Sequence, residues 1–515
     1  FQEFIVRIGT AVERRDCITV TECMKSEANL YRTSDPHDLN IESDCADLPY
    51  VLRAYFSWKN GLPFTFAQRM TFKVQPETPP FWKFWVRSNA ADLRYSVEGN
   101  LVAERFHVIN TSQKSINAYE VLQSLIPDHI SSASFRTDID HPNTKDVFAD
   151  FYPLAINRQT IVPGVVIYDP NGHVTVVYKV TDDGRVYYVD AHPDNTLTTG
   201  VYNSKFMRSR SGQGGGFKAW RPIELIGYTQ SSNGSLMGGQ IVAVANESLP
   251  NYSAEQFFGN ANPSNTNHSS AYFVYKGRSL EFYEWVRMSL SVGDLKFNPV
   301  QELDIMLTDL CQSVQNRIQA VDIAIAAGIH NKPHPAQLPT NIYGTDGEWE
   351  TYSSPSRDAI LKTTFRETYT TIEKFLNRYH AKDPQIVYSG TDLLGDLKRK
   401  YVEKTSTCQL SYRNSNGVVV GLDLEDIRKR LYDLSFDPYH CPELRWGGRG
   451  NELATCRDNE VKRLWYTREQ RLRNQIDRHY NVRMDFTLDD LAKPIDGNGT
   501  ANQPIVDLFT LLNSK

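Results

Sequence analysis

The first 200 residues contain a cysteine in a setting suited to acyl transfer. Cys45 lies within residues 42–48 (ESDCADL), immediately before a segment with helical spacing. A thiolate at a helix N-terminus is stabilised by the helix dipole and by free backbone N–H groups, which lowers the pKa of the thiol. The same N–H groups can donate to the oxyanion that forms when a carbonyl carbon is attacked. The sequence therefore predicts Cys45 as a nucleophile.

A cysteine nucleophile needs a partner that accepts its proton. His173 follows the turn-forming residues 169–172 (DPNG) and opens a strand. A hairpin with its turn at residues 182–184 returns Asp190 to the neighbourhood of His173, and we expect the two positions to lie roughly opposite one another. A carboxylate there accepts a hydrogen bond from one ring nitrogen and leaves the other facing the thiol. Cys45, His173 and Asp190 are therefore the predicted catalytic residues.

Two further residues are predicted to lie near this site. His192 follows Asp190 by two positions on the same strand face, and it is an alternative third member or a substrate contact. Trp58, several helical turns beyond Cys45, lines the cleft or packs in the core. Structural interpretations stay open beside the functional ones: Cys45 as a buried thiol or disulfide half, His173 as a surface residue, and Asp190 as a turn former.

Other residues with chemical potential favour structural roles. His330 and His334 have a metal-binding spacing, but Pro333 and the proline at 335 exclude the helix that would present them together. The Gly-rich residues 209–216 are not followed by the Gly-Lys-Ser/Thr of a phosphate loop. The aromatic run 81–85 (FWKFW) is typical of a core or an inter-domain contact. Neither a metal nor an organic cofactor is predicted.

The elements that position the candidate residues can also be predicted. Apolar residues recur at helical spacing over residues 46–59, with Asp44 as the N-cap and Pro49 in the first turn. A second short helix is expected at 116–126. Residues 161–168, 173–180 and 185–189 are β-rich runs separated by turns, which indicates an antiparallel meander.

The whole chain is predicted to be an α+β protein. Residues 1–202 form the catalytic domain with an insertion at about 60–150, residues 203–270 a Gly/Ser/Asn-rich loop and connection, and residues 271–515 a mainly helical domain. The net charge of −5 and the absence of a clustered basic run argue against a nucleic-acid partner. No apolar run approaches 18 residues, so no membrane span is predicted.

The seven cysteines favour an exported protein with three disulfides. Cys17 with Cys23 and Cys441 with Cys456 are candidate pairs, and Cys311 with Cys408 could form the third, which leaves Cys45 alone; the sequence itself does not fix the connectivity. Because the chain opens with residues 1–4 (FQEF), we interpret it as a mature or trimmed chain. The alternative is a cytoplasmic protein with seven reduced thiols.

The candidate site resembles the papain-like superfamily, and its pattern is closest to the NlpC/P60 cell-wall peptidases and the transglutaminase-like proteins. The resemblance rests on residues 44–47 (DCAD) opening a helix, 172–174 (GHV) opening a strand, 189–190 (VD) on the next strand, and 163–167 (PGVVI) before the histidine. It covers roughly residues 40–195. The Cys-to-His interval of 128 residues (173 minus 45) implies a large insertion. The glutamine that papain places before its cysteine has no counterpart between Gln2 and Cys45.

The resemblance implies attack of Cys45 on an amide carbonyl and a thioester intermediate. If water resolves the thioester, the protein is a peptidase or amidase with a peptide or peptidoglycan-like substrate. If an amine does, it is a transglutaminase-type crosslinking enzyme. A hypothesis of another class is a non-catalytic interaction or scaffold protein that keeps the fold and binds a protein partner through its helical half.

Overall fold

The computed structural model of the protein describes residues 1–75, 92–144, 147–232, 234–343, 347–478, 483–493 and 508–514. These residues form two compact units, of which the first ends at Asp294 and the second begins at Leu295. The first unit is rich in strands and the second is mainly helical. The predicted order of a mixed α and β part followed by a helical part is therefore confirmed. The aromatic run 81–85 lies outside the described residues.

A six-stranded antiparallel sheet forms the centre of the first unit, in the order β3-β8-β4-β5-β6-β7. A separate pair, β1 and β2, lies within the predicted insertion. The strands of this sheet and of this pair are β1 (Phe64–Phe72), β2 (Asn100–Val108), β3 (Phe151–Pro153), β4 (Val166–Asp169), β5 (His173–Val180), β6 (Val186–Ala191), β7 (Leu197–Val201) and β8 (Gly216–Trp220). The predicted meander is present as β4–β6 and continues into β7.

Two parts of the sheet, β4 and β8, differ most from the sequence prediction. β4 begins at Val166 rather than 161, because Pro163 has no N–H to donate to a ladder and Gly164 adopts a φ of +94°. β8 lies inside the segment 203–270 that was predicted to be a loop. Gly216, with a φ of +89°, begins β8, and a Cβ there would meet the side chain of Gln256 at 2.1 Å. The glycines therefore serve a close approach to a buried strand, which composition alone does not distinguish from a loop.

The sheet is covered on both faces, as the alternation of its side chains requires. Val166 and Tyr168 of β4 pack in one core with helices α1 (Gln2–Glu13), α2 (Val20–Lys25) and α3 (Asp47–Lys59). Ile167, between them, packs in the opposite core with the helix Phe282–Leu290. The segment 271–294, predicted as the start of the helical domain, therefore belongs to the first unit.

A buried carboxylate fixes α3 against the β1–β2 pair. Asp150 forms an ion pair with Arg105 in which both side chains are at most 2% exposed. Its Oδ2 accepts hydrogen bonds from the Tyr50 hydroxyl of α3 at 2.8 Å and from the Ala67 N–H of β1 at 2.9 Å. Asp150 therefore holds the helix that follows Cys45. The short helix predicted at 116–126 is found slightly later, as the consecutive segments Ala118–Glu120, Val121–Leu125 and Ile126–His129.

The second unit is organised around long helices. The longer ones are Pro299–Ala326, Gly347–Tyr352, Pro355–His380, Leu393–Thr407, Leu424–Arg430, Glu460–Arg468 and Leu508–Ser514, with one hairpin of strands Leu410–Arg413 and Val419–Leu422. A buried ion pair between Arg317 and Asp358 joins the helices Pro299–Ala326 and Pro355–His380. Among the described residues, no helix is long and apolar enough to cross a bilayer.

The disulfides confirm the predicted pairing of the cysteines. Bonds join Cys17 to Cys23, Cys311 to Cys408 and Cys441 to Cys456. Cys45 is the one cysteine that remains free. Each disulfide lies within one unit, and the free thiol of Cys45 belongs to the first unit.

Candidate active site

Cys45 lies in the turn that leads into α3, two residues before the helix begins, close to the predicted helix N-terminus. The Asp44 carboxylate accepts hydrogen bonds from the N–H groups of Ala46 at 2.8 Å and Asp47 at 2.9 Å, and the Leu48 N–H donates to the Asp44 carbonyl at 3.1 Å. Asp44 therefore caps the helix. No described residue accepts a hydrogen bond from the Cys45 N–H, so this donor is available beside the half-buried thiol.

The thiol lies against the backbone on both sides of His173. Its Sγ donates to the Gly172 carbonyl at 3.8 Å, and the Val174 N–H donates to the sulfur. Within the described part of the chain, no hydrogen bond joins the sulfur to the imidazole of His173. Transfer of the thiol proton to the ring therefore requires the thiol to turn away from the Gly172 carbonyl. Such tightening on substrate binding is common at catalytic hydrogen bonds.

His173 and Asp190 are directly bonded. His173 Nε2 lies 2.7 Å from Asp190 Oδ2, and the Thr198 hydroxyl donates to Oδ1 of the same carboxylate. Because Nε2–H donates to the carboxylate, the lone pair of the ring is on Nδ1. Burial raises the pKa of Asp190, but His192, His173 and Thr198 outweigh it and hold that pKa below its usual value. The carboxylate is therefore ionised throughout the neutral range.

The strand register differs from the prediction that His173 and Asp190 lie opposite one another. The hairpin pairs Val180 with Val186, and beyond a bulge in β5 the register pairs Val176 with Val189. Continuing this register by three residues on each strand places His192 opposite His173 and Asp190 on the diagonal. The two imidazole rings are stacked with centroids 5.9 Å apart, and His192 Nε2 lies 3.0 Å from the Thr198 hydroxyl. His192 is therefore linked to Asp190 through Thr198.

The predicted lowering of the thiol pKa is wrong for this arrangement. Burial is the main cause that raises the pKa of Cys45 well above its usual value, followed by the charge of Asp44 and, with smaller effects, those of Asp190 and Asp47. The Val174 N–H acts in the opposite direction. The helix N-terminus is present, but its cap is an anion next to the sulfur. The resting group is therefore a neutral thiol.

Asp44 and Asp47 share their environment unequally. Burial raises the pKa of both carboxyls, and the neighbouring Asp44 charge raises that of Asp47 further. Asp44 accepts two short hydrogen bonds from backbone N–H groups, whereas the Asp44 N–H reaches Asp47 only at 3.5 Å. Asp44 is therefore the better placed of the two carboxyls to hold the negative charge.

Removing the charge of Asp44 should activate the thiol. We expect Asp44→Asn to lower the pKa of Cys45, because the amide oxygen keeps the cap and the repulsion is lost. Iodoacetamide labelling of Cys45 near pH 8, mapped by mass spectrometry, should become about tenfold faster. Asp47→Asn is the matched control and should change the rate much less, because Asp47 raises the pKa of Cys45 less than Asp44 does. Equal rates in Asp44→Asn and the wild-type protein would contradict this account.

Trp58 is not brought to the site. It lies thirteen positions beyond Cys45 in the sequence, or about 20 Å along a helix. Its ring packs edge-on against Tyr119 and Tyr55, with centroids 5.3 and 5.9 Å away, and carries Lys59 Nζ at 3.8 Å. Core packing is therefore the interpretation that the structure supports for Trp58.

Two residues that support the site were missed from the sequence. Thr198 of β7 bonds the second oxygen of Asp190. Asn195, with a φ of +63° in the turn before β7, accepts a hydrogen bond from the Ser43 N–H at 3.1 Å and so fixes the approach to Cys45. The turn residues 194–195 (DN) were the available signal, because Asn tolerates left-handed backbone.

No protein-family model, curated protein or solved structure matches this chain. The residues themselves and their geometry therefore carry the functional argument.

Proposed function

We propose that the first unit is a cysteine acyl-transfer enzyme of papain-like type, acting as a peptidase or amidase. The observation that carries this proposal is the buried His173–Asp190 pair at 2.7 Å, which adjoins the single unpaired cysteine of the chain. A nucleophile at a helix start, a base and a residue that orients the base are the groups that acyl transfer requires.

In the proposed reaction, His173 Nδ1 takes the proton of Cys45 as the sulfur bonds to the carbonyl carbon of an amide. The backbone N–H of Cys45 donates to the resulting oxyanion. When the C–N bond breaks, the imidazolium returns the proton to the leaving amine and a thioester remains. Water then attacks the thioester, His173 accepts its proton, and the acid departs as the thiol is restored.

The raised pKa of Cys45 makes proton transfer part of the attack. A preformed thiolate–imidazolium pair would be opposed by Asp44 beside the sulfur, whereas the Asp190 carboxylate favours an imidazolium at the moment of reaction. The enzyme is therefore expected to be slow towards simple alkylating agents and faster towards substrates that turn the thiol to the ring. This distinction separates it from a cysteine that is reactive at rest.

The class of substrate follows from the resemblance and from the disulfides. Three disulfides are typical of a protein that works in an oxidising compartment outside the cytoplasm. A peptide, such as a stem peptide of peptidoglycan, is the substrate that an exported enzyme of this type would meet. The transglutaminase-type reaction uses the same three residues and differs only in the acceptor.

Acylation by p-nitrophenyl acetate tests the proposal without knowledge of the substrate. We expect a burst of about one p-nitrophenolate per chain and an acetyl group on Cys45. The burst should be absent in Cys45→Ala and strongly slowed in His173→Gln. A labelled primary amine added after the burst distinguishes an amine acceptor from water. If Cys45 of the folded protein is never acylated, the enzyme proposal fails and the scaffold hypothesis replaces it.

A further inference from the structure

A second group of chemically competent side chains lies in the helical unit. His334, Asp437 and Glu469 bring one potential ligand atom each within 4.8 Å of one another. The three residues come from separate parts of the chain: His334 from the proline-containing segment before Leu338, Asp437 from a loop, and Glu469 from the end of the helix Glu460–Arg468. His330, whose spacing from His334 resembles a metal-binding pair in the sequence, is not a member of this group.

The imidazole of His334 has its tautomer set by a neighbour. Its Nδ1 lies 2.6 Å from the Pro335 carbonyl, which can only accept, so Nδ1 carries the hydrogen. Nε2 of the neutral ring is then a lone pair, and it lies 2.8 Å from Asp437 Oδ2, another acceptor. Both side chains are completely buried, and the ring of His334 is stacked on Trp465 at 4.2 Å. Two such lone pairs repel each other at this distance unless a positive charge, either a proton or a metal ion, lies between them.

Glu469 adds a third acceptor with no donor. It is fully buried, and among the described residues neither of its carboxylate oxygens has a hydrogen-bond partner. The nearby guanidinium of Arg473 donates instead to the carbonyls of Tyr432 and Tyr466 and to the side chain of Gln470. A buried ionised carboxylate without any partner is strongly unfavourable, so Glu469 either takes up a proton or faces a bound cation.

Other buried groups of the same unit show what satisfied residues look like. Glu443 is also fully buried, but its oxygens accept from the Ser415 N–H, the Ser415 hydroxyl and the Thr455 hydroxyl. His440 lies 3.6 Å from Asp437 Oδ2, yet its ring nitrogens are bonded to the Ser435 hydroxyl and the Lys462 carbonyl. The carboxylate oxygens of Glu469, by contrast, have no donor among the described residues.

We propose that His334, Asp437 and Glu469 bind a divalent first-row metal ion, with Zn²⁺ as the best-matched ion. One imidazole nitrogen and two carboxylates form a ligand set that zinc accepts, and the combined charge of the ion and its ligands is zero. The bond from Nδ1 to the Pro335 carbonyl is the arrangement that orients metal-binding histidines. The ion would bind three segments whose neighbouring side chains already pack in one core, so its role is structural.

Metal analysis of the full chain tests this site. The protein is produced in medium with Zn²⁺, purified without a metal-chelating resin, and analysed by plasma mass spectrometry. We expect about one equivalent of zinc per wild-type chain. Glu469→Gln should retain at least roughly tenfold less, because the charged ligand is lost. Glu443→Gln is the matched buried control and should keep the wild-type content.

The competing arrangement places a proton on Nε2 and a second proton between the two carboxyls. It predicts a wild-type chain as free of zinc as Glu469→Gln, and this result would overturn the proposal. Zinc retained equally by Glu469→Gln would overturn it too, since the ion would lie elsewhere. If Glu469→Gln does not fold, the wild-type protein still decides. After dialysis against a chelator, re-addition of Zn²⁺ should raise its melting temperature, and an unchanged temperature would contradict the site.

Discussion

Asp190→Asn is expected to slow the acylation of Cys45 by roughly ten-thousand-fold while the protein remains folded. The Asp190 carboxylate holds the hydrogen of His173 on Nε2 through a 2.7 Å bond. An asparagine amide can donate to Nε2 instead, which moves the ring hydrogen to Nδ1 and removes the base from the side of the thiol. The rate of the p-nitrophenyl acetate burst measures the effect, and circular dichroism verifies the fold.

His192→Gln is the matched comparison for this prediction. His192 Nε2 lies 3.9 Å from Asp190 Oδ2 and 3.0 Å from the Thr198 hydroxyl. Its loss leaves the carboxylate bonded to His173, so it should change the burst much less than the loss of the carboxylate. If His192→Gln instead abolishes the burst and Asp190→Asn preserves it, the role of third catalytic residue belongs to His192. A burst that survives in both variants would exclude both residues from catalysis.

Asp150→Ala is expected to destabilise the first unit by about 3–5 kcal/mol. The substitution leaves the buried guanidinium of Arg105 without its counter-ion and removes the acceptor for Tyr50 and Ala67. Asp150→Asn keeps an acceptor oxygen and should cost less. Urea-dependent hydrogen exchange of peptides from β1, β2 and α3 reports the free energy of unfolding of this unit separately. Equal losses below about 1 kcal/mol in both variants would contradict the assigned role.

The local sequence pattern was sufficient to predict the helix that follows Cys45 and the strand that begins at His173. The helix expected at 46–59 is Asp47–Lys59, and the strand expected at 173–180 has the bounds His173–Val180. Apolar spacing and turn residues specify these elements within short windows. The membership of β8 in the central sheet depends on Gln256 and on strands far away in the sequence. The residues around Gly216 therefore look like an inter-domain loop when only a short stretch of sequence is considered.

The candidate residues were predicted more successfully than their chemistry. Cys45, His173 and Asp190 come together around one strand end, but a bulge decides which residue faces His173. The sequence identifies Asp44 as a cap, which suggests an activated thiol. Only the three-dimensional arrangement shows that burial, and then the charge of the same carboxylate, raise the pKa of the thiol. The clustering of His334 with Asp437 and Glu469 spans more than 100 residues and left no local signal.

The order of the cysteines affects how the chain is oxidised as it emerges. Each disulfide joins cysteines that are neighbours in the sequence once Cys45 is set aside. In a chain that is translocated N-terminus first, Cys17 can pair with Cys23 before Cys45 is exposed to the oxidant. The next cysteine is Cys311, and by then residues 172–174 are available to cover the thiol of Cys45. In such a chain, stepwise oxidation would leave the thiol of Cys45 unpaired without any need to reshuffle bonds.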